Sequence, residues 1–379
     1  MKGLCVYIKA GKGHYVPAEA VDSALKRDGV DSRLIDFFSY LDLEFMEKVN
    51  QGIWRLMLKI PFLEKHLFSN LDNSKWGIGF LVRIVYFLRK RKLKKNLCIF
   101  RPDFIFATHP YPGTILSSIL NKLGEDIPVY FYSTDVFSSP RVAICPYLRK
   151  FYLPTVEGIE RTRKMGQKED TLALCPFPLQ DSVAKVPRLD KKEARKKIDL
   201  EEMFTIQLNL GGEGLGSLAL LEAILKEDLP VQVVIIGGIR DAMRSSLENL
   251  IARYPRSKVR IRIRGFVKNV SEYLAASDVI VGRAGINTIV EAIYAHRPFL
   301  ITELVYIVIA SAEYVEKYHV GWNATGDVEK QLGIIKDLVR NPWKLLEMEE
   351  NFGKVPIEYS SEKLARMITD DVSSLLKKK

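Results

Sequence analysis

The chain has 379 residues, 47% hydrophobic and 27% charged, with a formal net charge of +11. That length supports two domains of ordinary size and that composition a buried core, so an unfolded chain is excluded. No run reaches the ~18 uncharged apolar residues that a membrane span needs. Four widely spaced cysteines, Cys5, Cys98, Cys145 and Cys175, offer no C-x-x-C metal pair and suit reduced, buried positions of a cytosolic protein.

Apolar runs of strand length alternate with helical patterns almost from end to end, which marks parallel α/β structure. The first run, GLCVYI, enters the turn AGKGH, where Gly11, Gly13 and His14 precede a helix beginning near Val16. Glycines there permit positive φ and a close approach of backbone to a ligand, and the helix start offers free amide donors. The same two glycines also fit a turn that needs them for its geometry alone. Strands over SRLID, FIFAT, VYFYST, KFYLPT and TLALC follow, and His109 stands just past FIFAT.

The second connection swells into an insert of residues 42–97. Here Trp54, Leu56, Met57, Phe62, Phe68, Trp76 and Phe80 interleave with Lys and Arg and lead into Arg89, Lys90, Arg91, Lys92, Lys94 and Lys95. Bulky apolar side chains beside a cationic cluster suit a helix lying in an anionic membrane surface, with hydrocarbon under the headgroups and ammonium groups on lipid phosphate. A core hairpin with a solvated basic face accounts for the same residues. A basic balance attracts nucleic acid, lipid or phosphorylated ligands alike, and this placement of the charge favours lipid.

A charge-dense stretch at 181–202 then supplies a linker and the first helix of a new unit, after which the pattern restarts with FTIQLNL, VQVVIIG, VRIRIRG, DVIVG and PFLIT. The expected division is an N-terminal domain over 1–180, the linker helix, a C-terminal domain over 203–345, and terminal helices over 346–379 that can pack back on the first domain. Two doubly wound, Rossmann-like domains facing across a cleft would bind ligands at the carboxyl ends of their strands. The second glycine turn, LGGEGLGS, carries Gly211, Gly212, Gly214 and Gly216 and departs from both G-x-G-x-x-G and the P-loop, so neither a nicotinamide nor an ATP fingerprint is present. A cradle of backbone amides for a pyrophosphate remains. Downstream, Phe266 follows one strand, and Arg283, Gly285, Asn287, Thr288 and Glu291 form the next strand-to-helix mouth. Three turns on one rim can surround one nucleotide: diphosphate over the glycine turn, base against Phe266, ribose hydroxyls on Glu291. A carboxylate accepts two hydrogen bonds and so suits a vicinal diol.

Taken in order, AGKGHYVPAEAV, PDFIFATHP, YFYSTD, LNLGGEGLGS, GFVKNVSEYLAASDVIV and GRAGINTIVEAI resemble the GT-B glycosyltransferases of family 28. That family includes diacylglycerol sugar transferases and the N-acetylglucosaminyltransferase that makes lipid II. The resemblance implies an inverting transferase that moves a sugar from a UDP-sugar, held by the C-terminal domain, to a membrane lipid such as diacylglycerol approached by the N-terminal domain. It implies no cofactor and no required metal, and the sequence has no D-x-D motif. On matching positions, Gly211, Gly212 and Gly214 would contact the diphosphate, Phe266 the uracil loop, Arg283 to Thr288 the phosphate and ribose region, and Glu291 the ribose. His14 or Asp135 would be the base, with Gly11, Gly13 and His109 on the acceptor side. The implied location is the cytoplasmic face of the cell membrane, with UDP-sugar, lipid acceptor and anionic surface as partners and no nucleic acid.

After PFLIT the family commonly carries a polar segment that meets the sugar hydroxyls, whereas this chain reads ELVYIVIASAEYV, with Ile307 and Val308 near the expected Gln and Glu. Apolar side chains cannot hydrogen-bond a hexose. The expectation is that they turn into the core while Glu303, Ser311 or Glu313 serves the sugar. An epimerase or soluble-acceptor transferase on the same fold, or a binding protein that has lost turnover, are the other readings.

Overall fold

A computed structural model describes residues 1–9, 13–49, 52, 77–210, 218–239, 241–305 and 308–378. It divides into two units, Met1–Gln180 with Ile357–Lys379, and Asp181–Pro356. The stretch after 345 is thus split: residues up to 356 stay with the second unit, and only the last helix returns to the first.

In the first unit, β1 (Lys2–Tyr7) leads to α1 (Tyr15–Arg27) and β2 (Asp31–Asp36), and the insert ends in the long α2 (Gly77–Phe100). Then come β3 (Phe104–Ala107), α3 (Pro110–Leu123), β4 (Val129–Tyr132), β5 (Lys150–Leu153), α4 (Val156–Lys164) and β6 (Leu172–Leu174). The sheet runs β2-β1-β3-β4-β5-β6 with every pair parallel. β3 and β4 are buried at every residue, as strands covered on both faces must be, which is why they read as unbroken apolar runs. One face packs on α2 and α3 through Val82, Val85, Leu93 and Leu97 against Leu4, Val6, Ile105 and Phe131.

The second unit holds α5 (Lys191–Lys197), β7 (Phe204–Asn209), α6 (Leu218–Lys226), β8 (Val231–Ile236), α7 (Asp241–Ala252), β9 (Arg260–Gly265) and α8 (Val270–Ala276). It continues with β10 (Val279–Arg283), α9 (Ile286–Tyr294), β11 (Phe299–Glu303), α10 (Ile309–Lys317), β12 (Gly321–Asn323) and α11 (Val328–Arg340). Its sheet order is β12-β11-β10-β7-β8-β9, again parallel throughout. Every apolar run singled out in the sequence forms a strand, and β12 is an addition.

The chain ends in α12 (Ser361–Leu376), whose Leu364, Ala365, Ile368 and Val372 make one buried stripe and which packs beside α1. Its Asp371 accepts from Tyr130 Oη at 2.6 Å and from Arg149 at 2.7 and 2.6 Å, so the returning helix is bound to β4 and to the start of β5 by charged hydrogen bonds.

One expectation about side chains changes. Cys5, Cys145 and Cys175 are buried, but Cys98 is exposed, because it falls on the outer face of α2. That helix is also two-sided: Phe80, Phe87 and Leu88 are 66%, 73% and 61% exposed on a helix whose other face joins the core. Trp54, Leu56, Met57, Phe62, Phe68 and Trp76 of the insert lie outside the described residues. Among the described residues no helix is long and apolar enough to cross a membrane.

Candidate functional site

In a parallel sheet the place where strand order reverses leaves a crevice at the carboxyl ends of the two diverging strands. In the first unit that place is between β1 and β3. His14 occupies it as the residue before α1, yet its side chain makes no cap to its own helix. It reaches across instead, and Nδ1 lies 2.9 Å from the Thr108 carbonyl oxygen, just past β3, and 2.8 Å from Thr134 Oγ1, just past β4. Thr108 Oγ1 donates back to the His14 carbonyl at 2.7 Å, closing the link between the two strand ends. A carbonyl can only accept, so Nδ1 carries the proton and Nε2 keeps its lone pair. Burial pushes the His14 pKa down to about 4, against a smaller opposing pull from the Thr108 hydrogen bond, so the ring is uncharged at neutral pH.

His109 stands beside it, ring centroids 4.4 Å apart and planes at 64°. It is the residue before α3, and its Nδ1 accepts from the Tyr111 backbone amide at 3.1 Å. Burial, and then the neighbouring His14, hold its pKa well below the usual histidine value. Asp135 follows Thr134 at the same strand end and is half-buried, three residues beyond the last residue of β4. His14, His109 and the β4 end carrying Asp135 are therefore brought together. Gly13 is exposed at the turn, and Gly11 lies outside the described residues.

The second unit reverses between β7 and β10. A Cβ on Gly282 would come within 2.6 Å of the Asn209 carbonyl oxygen, so the close approach of the two strands here requires glycine. Beyond it Gly285 is the N-cap residue of α9 and, as a glycine, brings no side chain to cap it. Asn287 and Thr288 lie in the first turn of that helix. Glu291, one turn further, is half-buried, and its carboxylate has no hydrogen bond or ion pair to another described residue. Burial pushes this carboxyl up to about 7. Such a group lacks the partners that would stabilise its charge, and hydroxyl donors from a ligand would supply them.

Arg283 was expected on a phosphate. It is paired within the unit, with Nη2 3.1 Å from Glu303 Oε2 at the end of β11. Phe266, past β9, is 68% exposed on the same edge of the sheet. Gly211, Gly212 and Gly214 lie outside the described residues, as does Ile307. Val308 is buried at 8% exposure, and Ser311, in the first turn of α10, is buried with no hydrogen-bond partner for its hydroxyl among the described residues. Glu313 is exposed on the same helix. A hollow of about 520 Å³ along β12, lined by His319, Trp322, Lys330 and Lys344 among others, contains none of these residues.

Sequence reading missed Thr108 and Thr134. Each closes a run of buried strand residues with a hydroxyl, in FIFAT and VYFYST, and a polar residue at the carboxyl end of such a run was the available signal.

Residues 214–351 match the model for the glycosyltransferase family 28 C-terminal domain. Over 323 residues, 79% of the chain, it is 25% identical to monogalactosyldiacylglycerol synthase 1 of Arabidopsis thaliana. A rice protein named "Probable monogalactosyldiacylglycerol synthase 2, chloroplastic" is 25% identical over 310 residues, 78% of the chain. The chain covers 57% and 64% of those two relatives, less than two thirds of their length. MurG of Acinetobacter baumannii superposes with a TM-score of 0.64 at 14% identity over 97% of this chain and 99% of that one. A UDP-GlcNAc 2-epimerase of Neisseria meningitidis, bound to UDP-GlcNAc, gives 0.61 at 14% identity with both chains fully covered. Both likenesses are of fold. The chain has the GT-B fold, and residues 214–351 of its second unit match the glycosyltransferase family 28 C-terminal domain.

Proposed function

We propose that the protein is an inverting glycosyltransferase that moves a hexose from a UDP-sugar to the hydroxyl of a membrane lipid such as diacylglycerol. The observation that carries this reading is the uncharged His14, held by the Thr108 carbonyl with Nε2 left as a base at the switch point of the first unit. The similarity to monogalactosyldiacylglycerol synthases, which runs through both units, supports the same reading.

In this reaction the acceptor oxygen attacks the anomeric carbon as Nε2 of His14 takes its proton, and the bond from that carbon to the diphosphate breaks with its electron pair leaving on UDP. A pKa of about 4 keeps nearly every His14 ring unprotonated at neutral pH, so the Nε2 lone pair is available, while the same burial makes it a weaker base. Asp135, on the same strand end as Thr134, is the second acidic or basic group of the acceptor side. The donor is proposed to lie on the second unit, with its diphosphate on the Gly211–Gly214 turn and the amides ahead of α9, its base near Phe266, and its ribose diol on Glu291. Val308 is buried, and Ser311, whose buried hydroxyl lacks a partner among the described residues, is proposed to serve the sugar in place of a polar segment.

Attachment to an anionic membrane is proposed through the outer face of α2. Phe80, Phe87 and Leu88 there give way to exposed Arg91, Lys94 and Lys95 further along the same helix. Apolar side chains followed by cations suit insertion beside anionic headgroups.

The test is incubation of the purified protein with UDP-galactose, UDP-glucose or UDP-GlcNAc and vesicles containing diacylglycerol, with lipids and nucleotides read by mass spectrometry. Glycosyl-diacylglycerol formed together with UDP is the expected result. An epimerised UDP-sugar with no glycolipid would replace this reading with the epimerase one.

A further inference from the structure

The two histidines of the first unit are fixed in opposite tautomers by backbone groups of opposite kind. His14 Nδ1 faces the Thr108 carbonyl oxygen, which can only accept, so its proton is on Nδ1. His109 Nδ1 faces the Tyr111 amide, which can only donate, so its proton is on Nε2. Neither Nε2 has a hydrogen-bond partner among the described residues, and both rings are half-buried. The rings sit edge to face with centroids 4.4 Å apart, one carrying a lone pair on Nε2 and the other an N–H.

We propose that His109 is a second catalytic residue of the acceptor side, its Nε2–H donating to the oxygen of an alcohol whose proton is directed at Nε2 of His14. The proposal rests on the transferase reading above and adds to it a second residue that holds the acceptor hydroxyl. A hydroxyl is at once a donor and an acceptor, and it satisfies both ring nitrogens in one placement. A carboxylate has no proton for the lone pair of His14, and a thiol is a weak acceptor for the N–H of His109. In the step itself one oxygen lone pair accepts from His109, another forms the bond to the anomeric carbon, and the O–H proton passes to His14 as UDP leaves. His109 keeps its proton throughout. Its contribution is orientation: the attacking oxygen is held at two points and not one.

Each histidine can be tested by two measurements. Imidazole 15N NMR of the full chain reads the tautomers directly, with His14→Gln and His109→Gln assigning two of the five histidines. The expected result at neutral pH is a protonated Nδ1 on His14 and a protonated Nε2 on His109. Two rings in the same tautomer would overturn the proposal whether or not transfer is detected. The second measurement compares His109→Asn, which keeps an oxygen to cap α3 but cannot extend a donor to the Nε2 position, with His109→Gln, which can. With diacylglycerol vesicles, His109→Asn should lower kcat/KM for the acceptor about tenfold, the scale of one lost hydrogen bond, with UDP affinity unchanged and partial recovery in His109→Gln. Wild-type turnover in His109→Asn would refute the role of His109 while loss of turnover in His14→Ala still upheld the parent reading. Undiminished transfer in His14→Ala would refute the parent reading itself.

Discussion

The two units reverse their strand order at equivalent places and leave opposite things there. At β1/β3 the polar side chains are satisfied: His14 is tied to Thr108 and Thr134, His109 to the Tyr111 amide, and what remains open is one nitrogen on each ring. At β7/β10 the strand ends are pressed so close that a glycine, Gly282, is required, the next helix opens on Gly285, and the Glu291 carboxylate has no partner among the described residues. In the proposed transferase the first crevice would supply the base and the second would hold the donor, and substitutions should separate the two roles.

The largest effect is expected in the first unit. His14→Ala should lower sugar transfer by about a hundredfold or more while UDP affinity stays near wild type, because a base acts in the transition state and not on bound UDP. Parallel loss of UDP affinity, measured by calorimetry, would put His14 on the donor side and dissolve the contrast. In the second unit Glu291→Ala should do the reverse, weakening UDP binding by about 1 to 3 kcal/mol, the range for hydrogen bonds to a charged group. Calorimetry that finds no change would remove the ribose assignment.

Glu291 also carries a pH signature. Its carboxyl is pushed up to about 7 in the free protein, and hydroxyl donors from the ribose would favour the charged form. UDP affinity should therefore rise as pH increases through about 7, beyond the change shown by Glu291→Gln, with protons released on binding. For stability the sign is opposite: a carboxyl raised from 4.5 to about 7 holds its proton in the folded state across that window, so this contribution is full below 4.5 and lost as pH rises to 7. Glu291→Gln should accordingly raise Tm at pH 8 relative to wild type and leave it unchanged near pH 4. A Tm difference that does not vary with pH would mean the carboxyl is not perturbed.

The smallest effect belongs to the membrane face. Arg91→Ser with Lys95→Ser should weaken binding to anionic vesicles by ~1 kcal/mol per charge and leave neutral vesicles unaffected. Phe80→Ser with Phe87→Ser should weaken both, since burial of hydrocarbon does not depend on headgroup charge. Sedimentation that shows equal binding by all variants would return α2 to the reading of a hairpin with a solvated face.

Much of the architecture was legible because parallel strands covered on both faces must be apolar throughout, as FIFA and VYFY are. β12 escaped because three residues, Gly321–Asn323, make no run, and Gly321 is there for its close approach to β11, where a Cβ would lie 2.1 Å from the Phe299 carbonyl oxygen. His14, His109 and Glu291 could be picked out since each follows a strand or opens a helix at a glycine-bearing mouth. The proton state of His14 could not, because Thr108 and Thr134 stand 94 and 120 residues away and only the sheet brings them to it. The pairing of Arg283 with Glu303 was hidden for the same reason: two adjacent strand ends, separated by a helix in the chain, put an expected phosphate ligand against a carboxylate. The basic insert was read as either membrane face or core hairpin, and its helix has a buried stripe of Val82, Val85, Leu93 and Leu97 opposite exposed Phe80 and Phe87.

The most direct test of the division between the two units is the pH dependence of kcat/KM for the lipid acceptor at saturating UDP-sugar, which reports the base before the acceptor binds and where donor affinity no longer contributes. A neutral His14 base with a pKa of about 4 predicts a rate that is level from about pH 8 down to about pH 5.5 and falls only on approach to 4. An acid limb centred at the ordinary histidine value of 6.5, or an unchanged profile in a still active His14→Ala protein, would contradict the account.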